Sequence, residues 1–241
     1  MRNKSLVVLL GLVFCLCALS ILAQAEEQKA QLIFMDEYVV KPSLIDEFEA
    51  ASKDTLADWS KHKYPYSFEG YFSEDMRFIF ITPLKNFADI DNYYEALEEL
   101  KKKMGTKRWK ALWKRESAAL NYLKSRIFYY LPELSYFPEN PRLKPGEESF
   151  AVWSFYYVIP GMEDEFETVS KEWVTLHKEK KWRNGYKCYA GDFGTDMPVY
   201  LVYWKAKSEA DALINLEKSF NLFGEKGKVL VPSRPLLHTQ R

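Results

Sequence analysis

Cysteine, histidine and glycine are all scarce in this chain. Of 241 residues, three are cysteine, three histidine and ten glycine. Cys15 and Cys17 fall in an N-terminal apolar run, so a chain trimmed of that run keeps only Cys188 and cannot form an internal disulfide. The fold must then hold by its core, which this length allows. The remaining thiol reads as a small buried residue in a strand. A nucleophilic cysteine needs a lowered thiol pKa and a partner base, and Tyr186-Lys187-Cys188-Tyr189 supplies a cation but no histidine. The sequence has no His-x-His, no His-Glu-x-x-His, no paired cysteines beyond the leader and no acidic loop of calcium spacing, so no metal site is expected. It has neither a glycine-rich phosphate loop nor a Gly-x-Ser-x-Gly elbow, which argues against nucleotide enzymes and α/β hydrolases. Charge of neither sign dominates, with 34 basic and 34 acidic residues. That balance gives no long-range pull toward nucleic acid or anionic lipid.

The first 25 residues read as a cleaved signal peptide. Arg2 and Lys4 precede an apolar run from Leu6 to Leu22, Ala23-Gln24-Ala25 is a small-x-small cleavage site, and Glu26-Glu27-Gln28 is abruptly polar. An uncleaved anchor is the rival reading, because about 17 apolar residues lie at the lower limit for spanning a bilayer. Cleavage leaves about 216 residues with 32 basic and 34 acidic side chains, a net charge of about −2. The expected location is outside the cytoplasm, in the bacterial periplasm or the medium, with no stable membrane span after cleavage and no nucleic-acid partner.

What the chain does have is a repeat. Lys41-Pro42-Ser43-Leu44-Ile45-Asp46-Glu47-Phe48-Glu49 returns 118 positions later as Ile159-Pro160-Gly161-Met162-Glu163-Asp164-Glu165-Phe166-Glu167, and Ser52-Lys53 returns in register as Ser170-Lys171. Each copy carries the same order of signals. In the first, residues 32–40 suit a strand, and Pro42 ends it. Leu44, Phe48, Ala51, Leu56 and Trp59 recur at near-helical spacing, with Ser43 as N-cap and Asp46 and Glu47 in the first turn. Strands are predicted over 66–72 and 77–82, helices over 89–104 and 107–123, and a strand over 125–131. In the second copy strands are predicted over 150–158, 185–190 and 199–204, helices over 161–180 and 208–223, and a last strand over 228–231. Residues 138–147, with three prolines and a glycine, form a semi-rigid connector. The boundaries follow as 1–25 for the leader, 26–137 for the first unit with its extra helix, 138–147 for the connector and 148–241 for the second unit.

Strand, helix, strand, strand, helix, strand is the ferredoxin-like order. Its sheet is covered by helices on one face, and a second copy is the natural cover for the other. The predicted architecture is α+β, with two βαββαβ repeats packed as an intramolecular, pseudo-dimeric α+β barrel. A strand, then Val-x-Pro-small, then acidic residues ahead of Glu-Phe at a helix start resembles the dimeric α+β barrel superfamily, most closely its antibiotic-biosynthesis monooxygenase and NIPSNAP-like branches. The resemblance spans both halves but rests on short motifs. It implies a range that includes cofactor-free oxygenases of polyphenols, haem-dependent enzymes and members without assigned activity, so fold alone selects no chemistry.

The strand faces supply the candidate pocket. Glu69 and Tyr71 match Lys187 and Tyr189 in the paired second strands, and Asp36 and Tyr38 match Ser154 and Tyr156 in the first strands. All eight are expected to point into the space between the sheets, where tyrosines and a few charges would suit a small aromatic ligand. A carboxylate buried there would act as a base. The competing expectation is a solid interior filled by aromatic rings. If a haem were bound, as in some members of the resembled superfamily, His62 or His177 would be its axial ligand. The residue pattern itself reads both as exposed helix-end histidines. His238 falls in the tail. Arg77 and Arg183 flank strands and are candidates to pair a ligand carboxylate. Trp109, Leu112, Trp113 and Leu120 form an apolar stripe on a basic helix that is expected to pack on the body. Three functions stand open: an exported small-molecule-binding or cofactor-free monooxygenase-like protein, a non-enzymatic interaction module, and a haem protein. No cofactor is required by the first two, and the chain is expected to be a monomer or homodimer.

Overall fold

The computed structural model describes residues 32–73 and 75–229. The leader and His238 lie outside the described residues, as does half of the strand expected over 228–231. Lys228 and Val229 are not strand; they complete the last helix.

The first repeat follows the predicted order closely. β1 (Leu32–Val40) leads through a 3-10 turn at Pro42–Leu44 into α1 (Ile45–Lys61). The turn changes the cap: Leu44, not Ser43, is the N-cap, and no side chain caps the helix. β2 (Glu69–Phe72), β3 (Arg77–Leu84) and α2 (Asp89–Met104) follow. α3 (Thr106–Ala119) then passes directly into β4 (Leu120–Tyr130), so the chain becomes extended several residues earlier than helical spacing suggests. Leu120, expected on the helical stripe, is the first residue of that strand. The second repeat contains β5 (Phe150–Tyr157), α4 (Glu163–Glu179), β6 (Lys187–Gly191), β7 (Val199–Ala206) and α5 (Glu209–Val229), the last kinked at Gly224.

Among the described residues, seven strands form one antiparallel sheet in the order β2-β3-β1-β4-β6-β7-β5. The first repeat has the ferredoxin-like arrangement β4-β1-β3-β2. The second has β5-β7-β6, the same arrangement without a fourth strand among the described residues. The repeats are joined edge to edge, with Phe128, Tyr129 and Tyr130 of β4 opposite Gly191, Ala190 and Tyr189 of β6. β2 stands at one end of this order and β7 next to the other, yet Glu69 of β2 forms an ion pair with Lys205 of β7 at 2.6 Å. Tyr71 of β2 also meets Trp153 of β5 with ring centroids 5.3 Å apart. The sheet therefore curls until its ends touch, as in an α+β barrel.

Alternation along the strands divides the core. Ile33, Met35, Phe128, Tyr189, Leu201 and Tyr203 fill the inside of the curl. The outer face packs under the helices through Leu32, Phe34 and Ile127 in one half, and through Cys188, Ala190 and Tyr200 in the other. The repeated Glu-Phe motif has a direct packing reason. Phe48 and its counterpart Phe166 are each 1% exposed. Phe48 meets Tyr38 and Phe78 at 5.8 and 4.7 Å, and Phe166 meets Tyr156 and Tyr200 at 5.6 and 4.3 Å. Each phenylalanine fastens its helix to the first and third strands of its own repeat, and burying such a ring contributes about 1.5–3 kcal/mol.

Candidate functional site in the helix-covered cleft of the first repeat

A hydrophobic cluster occupies the inside of the curl, and two cavities lie on the outer face, one in each repeat, between sheet and helices. The first is a cavity of about 230 Å³. β1 contributes Asp36 and Tyr38, β4 contributes Ser125, α1 contributes Thr55 and Trp59, α2 contributes Tyr93, and α3 contributes Trp109, Trp113 and Glu116. The apolar stripe expected on α3 thus becomes one wall of the cleft.

Two carboxyl groups are set among these rings. Burial pushes the Asp36 carboxyl up, opposed by a hydrogen bond donated by the Ser125 hydroxyl. Burial also pushes Glu116 up, against a hydrogen bond donated by Thr55 Oγ1 at 2.6 Å and the nearby Arg115 charge. Burial, with the charges of Asp36 and Glu116 adding to it, holds the Tyr38 phenol far above its ordinary value, so it stays protonated. Trp59 lines the cleft with its ring, and its indole N–H is buried without a hydrogen-bond partner. An unmatched buried donor costs about 1–3 kcal/mol. The cleft therefore presents proton acceptors that are neither locked in ion pairs nor fully solvated, and ring faces for stacking.

These positions revise the expected pocket. Glu69, Tyr71, Lys187 and Tyr189 do face the inside of the curl. Asp36, Tyr38, Ser154 and Tyr156 do not; they are on the helix-covered face. The pairing register gives the reason: Asp36 lies opposite Phe80, and Phe80 opposite Gly70, so Asp36 shares a face with Gly70 rather than with Glu69. Tyr156 lines the cavity of the second repeat, and Ser154 shares its side of β5.

Inside the curl the polar groups are spent on one another. Glu69 accepts hydrogen bonds from Lys205 Nζ at 2.6 Å, from Tyr203 at 3.1 Å and from Tyr71. Burial pushes its carboxyl up, but those bonds and the Lys205 charge outweigh it and hold Glu69 below the usual range. Buried Glu37 is clamped between Arg77 and Arg126. Arg183 donates to the carbonyls of Asn140 and Pro141. Both arginines considered for a ligand carboxylate are thus occupied within the protein.

The second cleft, of about 200 Å³, lies between α4, α5 and the outer face of β5, β6 and β7. His177 lines it and is 8% exposed, so it is not the surface residue the sequence suggested. Its Nδ1 lies 2.8 Å from the Trp173 carbonyl, which can only accept, so Nδ1 carries the proton. Burial lowers its pKa to about 4 despite that bond, leaving a neutral ring with Nε2 as acceptor. This is a tautomer able to bind iron, but the space does not fit a haem. The cavity is smaller than the ~300–1,000 Å³ of drug-sized ligand sites, and the ring is boxed by Tyr136, Trp173, Tyr186 and Phe223 at 4.7–5.5 Å. His62 is the C-cap of α1, where its backbone N–H donates to the Asp58 carbonyl at 3.0 Å. Cys188 is 1% exposed, and burial pushes its thiol up to about 12, as suits a core residue. Among the described residues no cluster of His, Cys, Asp or Glu is placed to hold a metal ion, and no helix is long and apolar enough to cross a membrane.

Sequence reasoning missed Glu116, Thr55, Trp59, Tyr93 and Ser125 as site residues. One signal was present: Glu116 follows Leu112 by four residues and Trp113 by three, so it sits on the apolar stripe, where a carboxylate is out of place unless used.

No protein family profile matches the chain, and no curated protein does. Solved structures do. An anthrone oxidase-like protein matches with a TM-score of 0.60 at 10% identity, covering 88% of this chain and 88% of its own. A presumed monooxygenase of Fusobacterium nucleatum matches with a TM-score of 0.50 at 13% identity, covering 85% of this chain and 88% of its own. A NIPSNAP family protein of Agrobacterium tumefaciens covers 42% of this chain and 87% of its own, with a TM-score of 0.35 at 13% identity. At such identities the likeness to the first of these shows the fold alone: the chain folds as an α+β barrel of two ferredoxin-like units, as its repeat implied.

Proposed function

We propose that this chain is an exported protein that binds a small hydroxylated aromatic molecule in the cleft of the first repeat and removes a proton from it with Asp36. The observation that carries the reading is the presence of two burial-raised carboxyls, Asp36 and Glu116, in one aromatic cleft. A ligand with an acidic proton would satisfy the carboxylate. Its ring would lie against Tyr93 and Trp113. A carboxyl raised toward neutrality is a better base than a fully solvated one. Proton removal leaves an electron-rich anion that can reduce dioxygen directly. Conversion of a ring CH2 to C=O places one oxygen atom in the product and releases the other as water, so the balance needs no further reductant. The likeness to an anthrone oxidase-like protein supports this choice of ligand class. Export rests on the leader pattern of residues 1–25, and a secreted chain beginning at Glu26 would support it.

Oxygen uptake with 1,8-dihydroxyanthrone tests the reading. Uptake by the purified chain, reduced at least a hundredfold by Asp36→Asn, is expected for an oxygenase. Binding without uptake would favour a non-catalytic carrier, and absence of both would refute the assignment.

A further inference from the structure

We propose that the cleft of the second repeat is a separate binding site, selective for a small uncharged molecule with a flat apolar body and at least one hydroxyl group. The inference does not depend on the activity proposed for the first repeat, because it uses different residues on a different part of the sheet.

The two clefts descend from the same repeat and occupy matching places, but their walls have diverged in charge. The first contains Asp36 and Glu116. Among the described residues, no charged side chain lines the second. A charged ligand entering it would lose its hydration and find no counter-ion, which is costly. The walls are flat and apolar: Trp173, Trp182, Trp204 and Tyr186 surround the space. Leu216 at its rim is 43% exposed, so the cavity reaches solvent beside α5.

The polar lining specifies a donor. His177 spends its N–H on the Trp173 carbonyl and keeps Nε2 as an acceptor. Ser170 donates its hydroxyl proton to the Phe166 carbonyl at 2.8 Å, and Ser219 donates to Leu216 at 2.6 Å. Asn215 directs its amide nitrogen to Asp211 at 2.7 and 3.0 Å, leaving the amide oxygen to accept. In each case the donor is consumed within the protein and a lone pair remains. Asn184 is the exception: its oxygen accepts from Arg142 Nε at 2.8 Å, which leaves its amide N–H groups to donate. Four acceptors and one donor are complementary to an alcohol or an undissociated phenol, whose hydroxyl gives one hydrogen bond and receives one. Burial keeps His177 uncharged at neutral pH, so the acceptor is available under ordinary conditions.

Three naphthalene probes separate the possibilities by calorimetry on the purified chain at pH 7: 1-naphthol, naphthalene and 1-naphthoate. Ser219→Trp fills the second cleft and Ser125→Trp fills the first. The expected result is a 1-naphthol binding event that survives Ser125→Trp and is lost in Ser219→Trp. At that site naphthalene should bind at least tenfold more weakly and 1-naphthoate should not bind. His177→Phe, which keeps a ring but removes the acceptor, should weaken 1-naphthol at least tenfold. Should His177→Phe fail to fold, the comparison of Ser219→Trp with Ser125→Trp still decides. The proposal is overturned if 1-naphthol does not bind the Ser125→Trp chain, if Ser219→Trp binds it as well as the parent, or if 1-naphthoate binds that site as tightly as 1-naphthol.

Discussion

Replacing Glu69 by Ala should open the barrel where its two ends meet. The contact between β2 and β7 is made by side chains. Glu69 takes Lys205 at 2.6 Å and Tyr203 at 3.1 Å, with Tyr71 as a further donor and the Tyr71 and Tyr203 hydroxyls 2.7 Å apart. The Lys205 and Glu69 side chains are 26% and 41% exposed. That is too exposed for the 3–5 kcal/mol of a fully buried pair, and too enclosed, with two hydroxyls attached, for the 0–1 kcal/mol of a surface pair. Each hydroxyl bond adds about 1 kcal/mol. A loss of about 2–3 kcal/mol is expected for Glu69→Ala, or about 4–12 °C in Tm for a domain of this size. In a urea-unfolding double-mutant cycle, Glu69→Ala and Lys205→Ala should couple by about 1 kcal/mol. The pH dependence has a definite sign. Glu69 is held below its unfolded value, so its stabilisation is complete above the ordinary glutamate pKa of about 4.3 and is lost as pH falls through the lower native value. The difference between the parent and Glu69→Gln should therefore be full at pH 6 and shrink toward pH 3. Coupling below about 0.3 kcal/mol would mean that β2 and β7 do not meet and that the sheet is not closed.

Phe166→Ala should cost about 3–5 kcal/mol in urea unfolding, because the ring is 1% exposed and holds α4 to the sheet; a loss under 1 kcal/mol would contradict that packing. Gly194→Ala should destabilise by more than 1 kcal/mol and also weaken ligand binding in the first cleft. Its φ is +82°, and an added Cβ would stand 2.3 Å from the Ser125 carbonyl, displacing the strand that supports Asp36. Cys188 should resist a thiol reagent at pH 8 until the chain unfolds, since its thiol is buried and pushed up to about 12; labelling at the rate of a free thiol would refute its placement. Haemin added to the purified chain should give no shifted Soret band, because the second cleft is too small, and a stoichiometric Soret shift lost in His177→Phe would reverse that conclusion.

The order of elements was readable because the repeat, Pro42 and the Glu-Phe motif are local signals, and Phe48 and Phe166 occupy equivalent core positions for the reason the repeat suggests. Three things were not local. The face on which Asp36 and Tyr38 lie depends on pairing through Phe80 to Gly70, and a strand's alternation cannot say which of its faces a helix will cover. The end of α3 was placed too late because Leu120 to Leu123 carries apolar residues that fit either period until β1 pairs with them. His177 looked exposed beside Leu176 and Lys178, but α5 folds over it and Phe223 stacks at 4.7 Å. The site residues missed, Thr55, Trp59, Tyr93, Glu116 and Ser125, come from four different elements, and only the tertiary fold gathers them.

The most direct measurement is a crystal structure of the chain with 1,8-dihydroxyanthrone bound. The ring system is expected on the outer face of the sheet, between α1, α2 and α3, with a ligand hydroxyl within hydrogen-bond distance of Asp36. A ligand lying inside the curl of the sheet beside Glu69 and Tyr71, or bound without any contact to Asp36, would contradict the assignment.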